Sequence, residues 1–169
     1  RTKAFTWAMN FNITHNHNNI SYLPEQNKTL EKEGHAGYAN SSRYVGEGLP
    51  INTWYIKKYA GVNEQGLGTW YYTDATTGDM KTTTDYSSAD YYLGGSPHPD
   101  VYGGFGTSLR AYGFDLNVNF IYSLGGKAYD SGYEGMMRNP EPSIAPQAYH
   151  KDLLNAWTRE NPNSNIPRF

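Results

Sequence analysis

Three stretches of this chain alternate apolar and polar residues for about ten residues each, and that pattern commits them to long antiparallel strands. Over residues 5–14, Phe5, Trp7, Met9, Phe11 and Ile13 share one face, with Thr6, Ala8, Asn10, Asn12 and Thr14 opposite. Over residues 101–111, Val101, Phe105 and Leu109 share a face with Gly103, Thr107 and Ala111. Over residues 114–124, Phe114, Leu116, Val118, Phe120, Tyr122 and Leu124 oppose Asp115, Asn117, Asn119, Ile121 and Ser123. Ala111-Tyr112-Gly113 joins the last two stretches, which predicts a tight hairpin whose glycine supplies a positive φ. A strand of about ten residues crosses a bilayer at roughly 45° tilt. The polar face carries Asn, Thr and Ser rather than charge, as a watery lumen accepts. A soluble sandwich with one packed and one solvated face shows the same alternation. Strand length favours the barrel, because soluble strands average about five or six residues. So do the large aromatics near the strand ends, where a barrel carries its girdles.

Composition narrows the rest. The chain has 169 residues, the size of one ordinary domain, and its net charge of −2 argues against nucleic acid or a polybasic membrane-surface role. The absence of cysteine excludes a disulfide framework and any thiolate site. No apolar run approaches the roughly 18–20 residues of a spanning helix, and no signal peptide opens the chain. Leu, Ile, Val and Phe make up only 27 of the 169 residues, a level near that of disordered chains. Yet 15% of residues are aromatic, with 16 Tyr and 4 Trp, which disordered chains lack. With 18 Gly, this reads as β-structure with long polar loops.

More than eighty residues separate the first strand from the hairpin, too many for a structureless connection, and turn signals run throughout. Local strands are predicted at residues 53–62 and 69–73. Beyond the hairpin, the helix candidate is residues 146–157, where Leu153, Leu154 and Trp157 have helical spacing. One end of the strands thus has a minimal turn and the other very long segments, the layout of outer-membrane barrels.

Several motifs resemble one family. They are Pro97-His98-Pro99-Asp100-Val101-Tyr102-Gly103-Gly104-Phe105-Gly106-Thr107-Ser108, then Gly113-Phe114-Asp115-Leu116, then Gly125-Gly126-Lys127-Ala128-Tyr129-Asp130. Flanking them are Trp54-Tyr55 with Tyr59-Ala60-Gly61-Val62, and the segment from Trp157 through Asn161-Pro162-Asn163 to Ile166-Pro167-Arg168-Phe169. As an ordered block these resemble the SusC-like TonB-dependent outer-membrane transporters of Bacteroidetes. The resemblance implies an all-β fold, with residues 1–169 an antiparallel part of the C-terminal transmembrane barrel of 22 strands, bearing long extracellular loops. It implies that the plug domain and TonB box lie outside this chain. It further implies import of oligosaccharides, or less often peptides, with a SusD-like surface lipoprotein and the TonB complex as partners and outer-membrane lipid around the barrel. It implies no enzyme activity and no cofactor. The competing reading of the residues is a secreted carbohydrate-binding β-sandwich module, and a weaker one a glycoside hydrolase fragment.

Catalytic and metal signals are poor. His15 and His17 share a strand face and could chelate a metal only if a third ligand joined them; a polar strand end among Asn16, Asn18 and Asn19 is the plainer reading. Relatives suggest a calcium loop near Asp74-Ala75-Thr76-Thr77-Gly78-Asp79, but here Thr77 takes the central ligand position and Met80 and Lys81 follow, a poor oxygen cage. Nothing in the sequence brings two of Asp85, Asp90 and Asp100 together as a glycosidase pair. The sequons at Asn19 and Asn40 reflect abundant Asn. The stronger signal is aromatic: Trp54, Tyr55, Trp70, Tyr71, Tyr72, Tyr91, Tyr92, Tyr129 and Tyr133 are candidates for ligand or partner contact. Packing of the loops accounts for the same rings. Strand alternation lets only one of Tyr71 and Tyr72, and one of Tyr91 and Tyr92, face a ligand.

Overall fold

A computed structural model describes residues 5–138 and 148–168. Among the described residues, eleven strands run in chain order: β1 (Phe5–His15), β2 (Leu30–Lys32), β3 (His35–Asn40), β4 (Arg43–Gly46), β5 (Thr53–Lys57), β6 (Tyr59–Val62), β7 (Gly68–Thr73), β8 (Met80–Thr83), β9 (Tyr91–Gly95), β10 (Val101–Ala111) and β11 (Phe114–Leu124). One short helix, α1 (Ser131–Met136), follows. The sheets are β1-β10-β11, β2-β3-β4-β5-β9 and β6-β7-β8. The chain divides into two compact units, residues 1–54 with 94–127 and residues 55–93 with 128–169.

The first unit holds the long sheet, and all three long strands stand where the alternation puts them. The sheet is antiparallel in unbroken register, from Phe5 opposite Ala111 to His15 opposite Val101, and from Val101 opposite Leu124 to Ala111 opposite Phe114. Tyr112 and Gly113 have φ of 50° and 87°. Positive φ at both central residues makes this a two-residue type I′ turn, whose twist matches that of the strands. The long segments all leave from the His15, Val101 and Leu124 end, opposite the turn.

Register aligns side chains in rows across the three strands. Trp7, Leu109 and Leu116 form one row, and Phe11, Phe105 and Phe120 another. Phe105 stacks on Phe120 with centroids 4.7 Å apart, and the Trp7 indole N–H donates to the Thr107 hydroxyl at 2.8 Å. Tyr122 reaches across Gly103 to donate its hydroxyl to the Asn12 carbonyl at 3.0 Å. A Cβ at Gly103 would lie 2.2 Å from that carbonyl oxygen and 2.7 Å from the Tyr122 oxygen, so only glycine permits the crossing. This apolar face stays exposed: Trp7 is 60%, Phe11 67% and Phe120 51% accessible. The other face is polar and nearly uncharged. Asn10 and Asn119 meet over Gly106, the Asn12 side-chain oxygen accepts the Gly104 N–H at 3.0 Å, and Arg110 pairs with Asp115 near the turn.

The small sheet of this unit is organised around Tyr44. Its ring is fully buried, and its hydroxyl lies 2.8 Å from the Leu30 carbonyl and 2.7 Å from that of His35. That contact ties β2 and β3 to β4.

In the second unit, two sequence-based expectations are corrected. The strand expected over residues 53–62 is two strands: β5 ends at Lys57, β6 begins at Tyr59, and they belong to different sheets. The Lys58 carbonyl between them accepts the Tyr71 N–H at 3.1 Å, and the β6–β7 register slips between Tyr59 and Gly61. The helix expected over residues 146–157 is instead a single 3₁₀ turn, Lys151–Asn155. Residues 146–147 lie outside the described set. Leu153 is buried but Leu154 is exposed, so the two leucines do not build one helical face. The chain then extends, and the Trp157 N–H donates to the Ile166 carbonyl at 2.8 Å. The short helix α1 is capped by Asp130, whose carboxylate accepts the Tyr133 N–H at 2.8 Å.

Gly103→Val should destabilise the folded protein by about 1–3 kcal/mol, the usual cost of overpacking. Thermal denaturation followed by circular dichroism reads this, and a Tyr122→Phe variant should lose less.

Candidate functional site

The aromatic residues of the second unit form a row rather than scattered rings. Tyr55, on β5, stacks on Tyr91, on β9, with centroids 4.8 Å apart and planes 20° from parallel. The Lys57 ammonium lies 5.0 Å from the Tyr91 ring and 4.4 Å from the Tyr86 ring, and it donates to the Tyr86 and Ser87 carbonyls. Tyr86 meets Trp70 edge-on at 5.2 Å, and Trp70 meets Tyr59 edge-on at 5.9 Å. The Tyr59 hydroxyl donates to the Asn165 carbonyl at 3.2 Å. Burial raises the Tyr55 and Tyr59 hydroxyls above the usual tyrosine range; for Tyr55 the neighbouring Tyr91 and Asp90 add to it. Each ring thus supports the next, with one cation held between two faces.

Of the nine candidates, the structure joins Tyr55, Trp70 and Tyr91 in this row. It adds Tyr59, Tyr86 and Lys57, which the sequence reading missed. The available signal for Lys57 was its period-two spacing from Tyr55 on β5. Tyr86 had none, because it sits in a turn brought in by the β7–β8 hairpin. Lys58 Nζ lies 5.4 Å from the Tyr71 ring, and Tyr72 and Tyr92 are half-buried on their strands. Trp54 belongs to the first unit, where Arg43 stacks on its ring at 3.1 Å and its indole N–H donates to the Lys127 carbonyl at 2.6 Å. Tyr129 and Tyr133 flank the start of α1. The Tyr129 hydroxyl is raised first by its hydrogen bond to Glu134. The Tyr133 hydroxyl donates to Asp152 at 3.1 Å, which raises it, and its ring meets His150 edge-on at 4.9 Å.

The titratable groups serve local structure. Lys81 and the backbone N–H groups of Thr76 and Thr77 occupy the Asp74 carboxylate and lower its pKa. The carboxylate that a calcium loop would use is therefore engaged by the turn itself. Asp90 accepts the Thr73 N–H at 2.7 Å. Asp85 accepts from the Ser88 and Ser87 hydroxyls and the Ser87 N–H, which hold its pKa down at about 2. His15 donates from Nδ1 to the Asp100 carbonyl at 3.0 Å. Among the described residues no three His, Asp or Glu side chains cluster as a metal site.

No family model matches the chain. Among curated proteins it is similar to TonB-dependent receptor P3 of Formosa agariphila, 30% identical over 175 residues covering 97% of this chain. TonB-dependent receptor P26 of the same organism is 28% identical over 183 residues covering 99% of it. Over nearly its whole length the chain is similar to a segment of proteins named TonB-dependent receptors. It spans about 17% of the length of each of those two relatives. Its backbone also resembles a chain of the RagAB peptide importer in its 'open-open' state, with a TM-score of 0.70 and 23% identity, over 99% of this chain and 18% of that one. That likeness extends to the fold alone.

The Asp85 turn backs the aromatic row, since Tyr86 and Ser87 also take the Lys57 contacts. A carboxyl depressed below its ordinary value of 3.8 contributes stability above that value and loses it as pH falls through about 2. Amide-exchange protection of Ser87 should therefore hold at pH 5 and fall between pH 4 and 2. Asp85→Ala should remove it throughout, as read by hydrogen exchange with mass spectrometry.

Proposed function

We propose that this segment is part of the C-terminal transmembrane β-barrel of an outer-membrane transporter, which imports oligosaccharides or peptides together with a SusD-like lipoprotein and is driven through TonB. The long sheet carries the reading. Its eleven-residue strands, at about 3.3 Å per residue, span about 36 Å and, tilted by about 45°, match the ~25 Å apolar band of such barrels. One face offers exposed Trp7, Met9, Phe11, Ile13, Leu116 and Phe120, and the other offers amides and hydroxyls. In this reading the apolar face meets lipid, the polar face lines the lumen or meets the plug, and Tyr112 marks the periplasmic turn. The long segments then lie on the cell-exterior side, and a wall of this kind has no catalytic role. The names of the curated relatives and of the RagAB importer support a receptor or importer over an enzyme. A sandwich module would cover the apolar face with a second sheet, yet that face is exposed among the described residues.

In the complete transporter, Val118→Arg should cost about 2–4 kcal/mol of folding or insertion near the bilayer midplane. Asn117→Arg, pointing to the lumen, should cost less. Refolding into lipid vesicles measures both, and the opposite ranking would remove the barrel reading.

For the loops, the proposed contacts are the most exposed of the nine candidate rings, Tyr91, Tyr129 and Tyr133, at 40%, 57% and 38%. Trp54, Tyr55, Trp70, Tyr71, Tyr72 and Tyr92 are half-buried, each within its own segment's packing. Truncating Tyr91, Tyr129 or Tyr133 to Ala should weaken binding by roughly 1 kcal/mol or more while leaving insertion intact. Calorimetry with substrate and, separately, with the lipoprotein assigns the role. Lost affinity for substrate alone means stacking on ligand, and lost affinity for the lipoprotein alone means partner contact. Unchanged affinity for both reduces these rings to loop packing.

A further inference from the structure

The Tyr55–Tyr91 contact is unlike the others in the aromatic row, because it joins two phenols. Their planes lie 20° from parallel, with centroids 4.8 Å apart. β5 and β9, which carry them, are neighbours in their sheet. Adjacent strands hold such side chains next to each other, so the two rings stay in reach as they move. Tyr86, by contrast, meets the Trp70 indole edge-on, with planes 81° apart. Tyr22 and Tyr112 are more exposed, at 69% and 88%, but neither has a stacked phenol among the described residues.

Two phenols so placed can be joined by oxidation. Removing one hydrogen atom from each hydroxyl leaves two neutral tyrosyl radicals, whose unpaired electrons are shared with the ring carbons ortho to oxygen. One ortho carbon of each ring contributes its electron to a new C–C bond. Each of those carbons then passes its hydrogen to its own oxygen, which restores both phenols. The protein loses two hydrogen atoms in all, and one molecule of hydrogen peroxide that accepts them becomes two waters. The surroundings suit this chemistry. Burial, with Tyr91 and Asp90 adding to it, raises the Tyr55 hydroxyl and keeps its proton in place until the electron leaves with it. Tyr91 is exposed, which admits an oxidant and gives its ring room to slide. The chain has no cysteine to consume the oxidant or to supply a disulfide in its place.

We propose that Tyr55 and Tyr91 form an oxidative cross-linking site, converted to dityrosine by a haem peroxidase using a peroxide. The bond closes residues 56–90 into a covalent loop that carries β6, β7 and β8. Such a staple stabilises the loop by removing freedom from its unfolded form, as a disulfide does. Neither import nor the orientation of the long sheet enters this inference.

The test treats the complete receptor in dilute detergent solution with horseradish peroxidase and hydrogen peroxide, dosed until the exposed Tyr112 is oxidised, and then digests it with trypsin. Lys57, Lys58 and Lys81 are cleavage sites between the two tyrosines, so the peptides 44–57 and 82–110 separate unless they are joined. Mass spectrometry should find these two peptides linked, with two hydrogens missing and fragmentation placing the bond at Tyr55 and Tyr91. The blue emission of dityrosine should rise with the linked product. Tyr55→Phe and Tyr91→Phe should each abolish that product, because a phenyl ring yields no phenoxyl radical, whereas Tyr86→Phe should retain it. Both critical variants keep the ring, and circular dichroism checks their fold; should one fail to fold, the other still decides. Oxidation of Tyr112 without the linked peptide, a bond from Tyr55 to Tyr86 or Tyr92 instead, or a link that survives both Phe substitutions overturns the proposal. Uptake enters none of these readouts, so failure of the transport reading and failure of the cross-link are told apart.

Discussion

The rest of the first unit depends on a single ladder of backbone hydrogen bonds. β1, β10 and β11 pair over eleven residues each without a bulge, and a side-chain period of two means a one-residue slip would exchange the two faces. Register is pinned by the two-residue turn at one end and, along its length, by contacts that exist only in this alignment. The Phe105–Phe120 stack and the Tyr122 crossing of Gly103 are two of them. The apolar face and the amide face both follow from that alignment.

The second unit is stabilised differently. It has few aliphatic residues to bury, and its strands are four to six residues long. Rings take the place of a conventional core: Tyr55 stacks on Tyr91, Tyr86 meets Trp70 and Trp70 meets Tyr59, and Lys57 bridges Tyr91 and Tyr86. A high tyrosine content is therefore compatible with ordered loops in a chain whose aliphatic content approaches that of disordered ones. Large planar side chains bury much area at small entropic cost.

What could be read from the residues tracks the length of the pattern. Ten-residue alternation announced β1, β10 and β11, and the residues joining the last two announced their turn. β2, β3, β4, β8 and β9 went unseen, because three to six residues among glycines and polar side chains carry no periodic signal. The break at Lys58 was invisible because β5 and β6 each continue an extended pattern, and only their different pairing partners separate them. The aromatic candidates were correctly counted as a class, but which rings touch is decided by turns that bring distant segments together.

The long sheet also differs in how far its strands must travel to meet. β11 follows β10 after two residues, so that hairpin closes locally, on the microsecond scale of hairpin formation. β1 pairs with the same β10 across a connection running from Asn16 to Asp100, and closing so long a loop costs entropy before any rung is gained. Assembly therefore has an order: the hairpin is the template, and β1 is the late arrival. Until it docks, Trp7, Met9, Phe11 and Ile13 wait on an unpaired strand. The interval between closure of the hairpin and docking of β1 is when this segment is most exposed to pairing with the wrong edge.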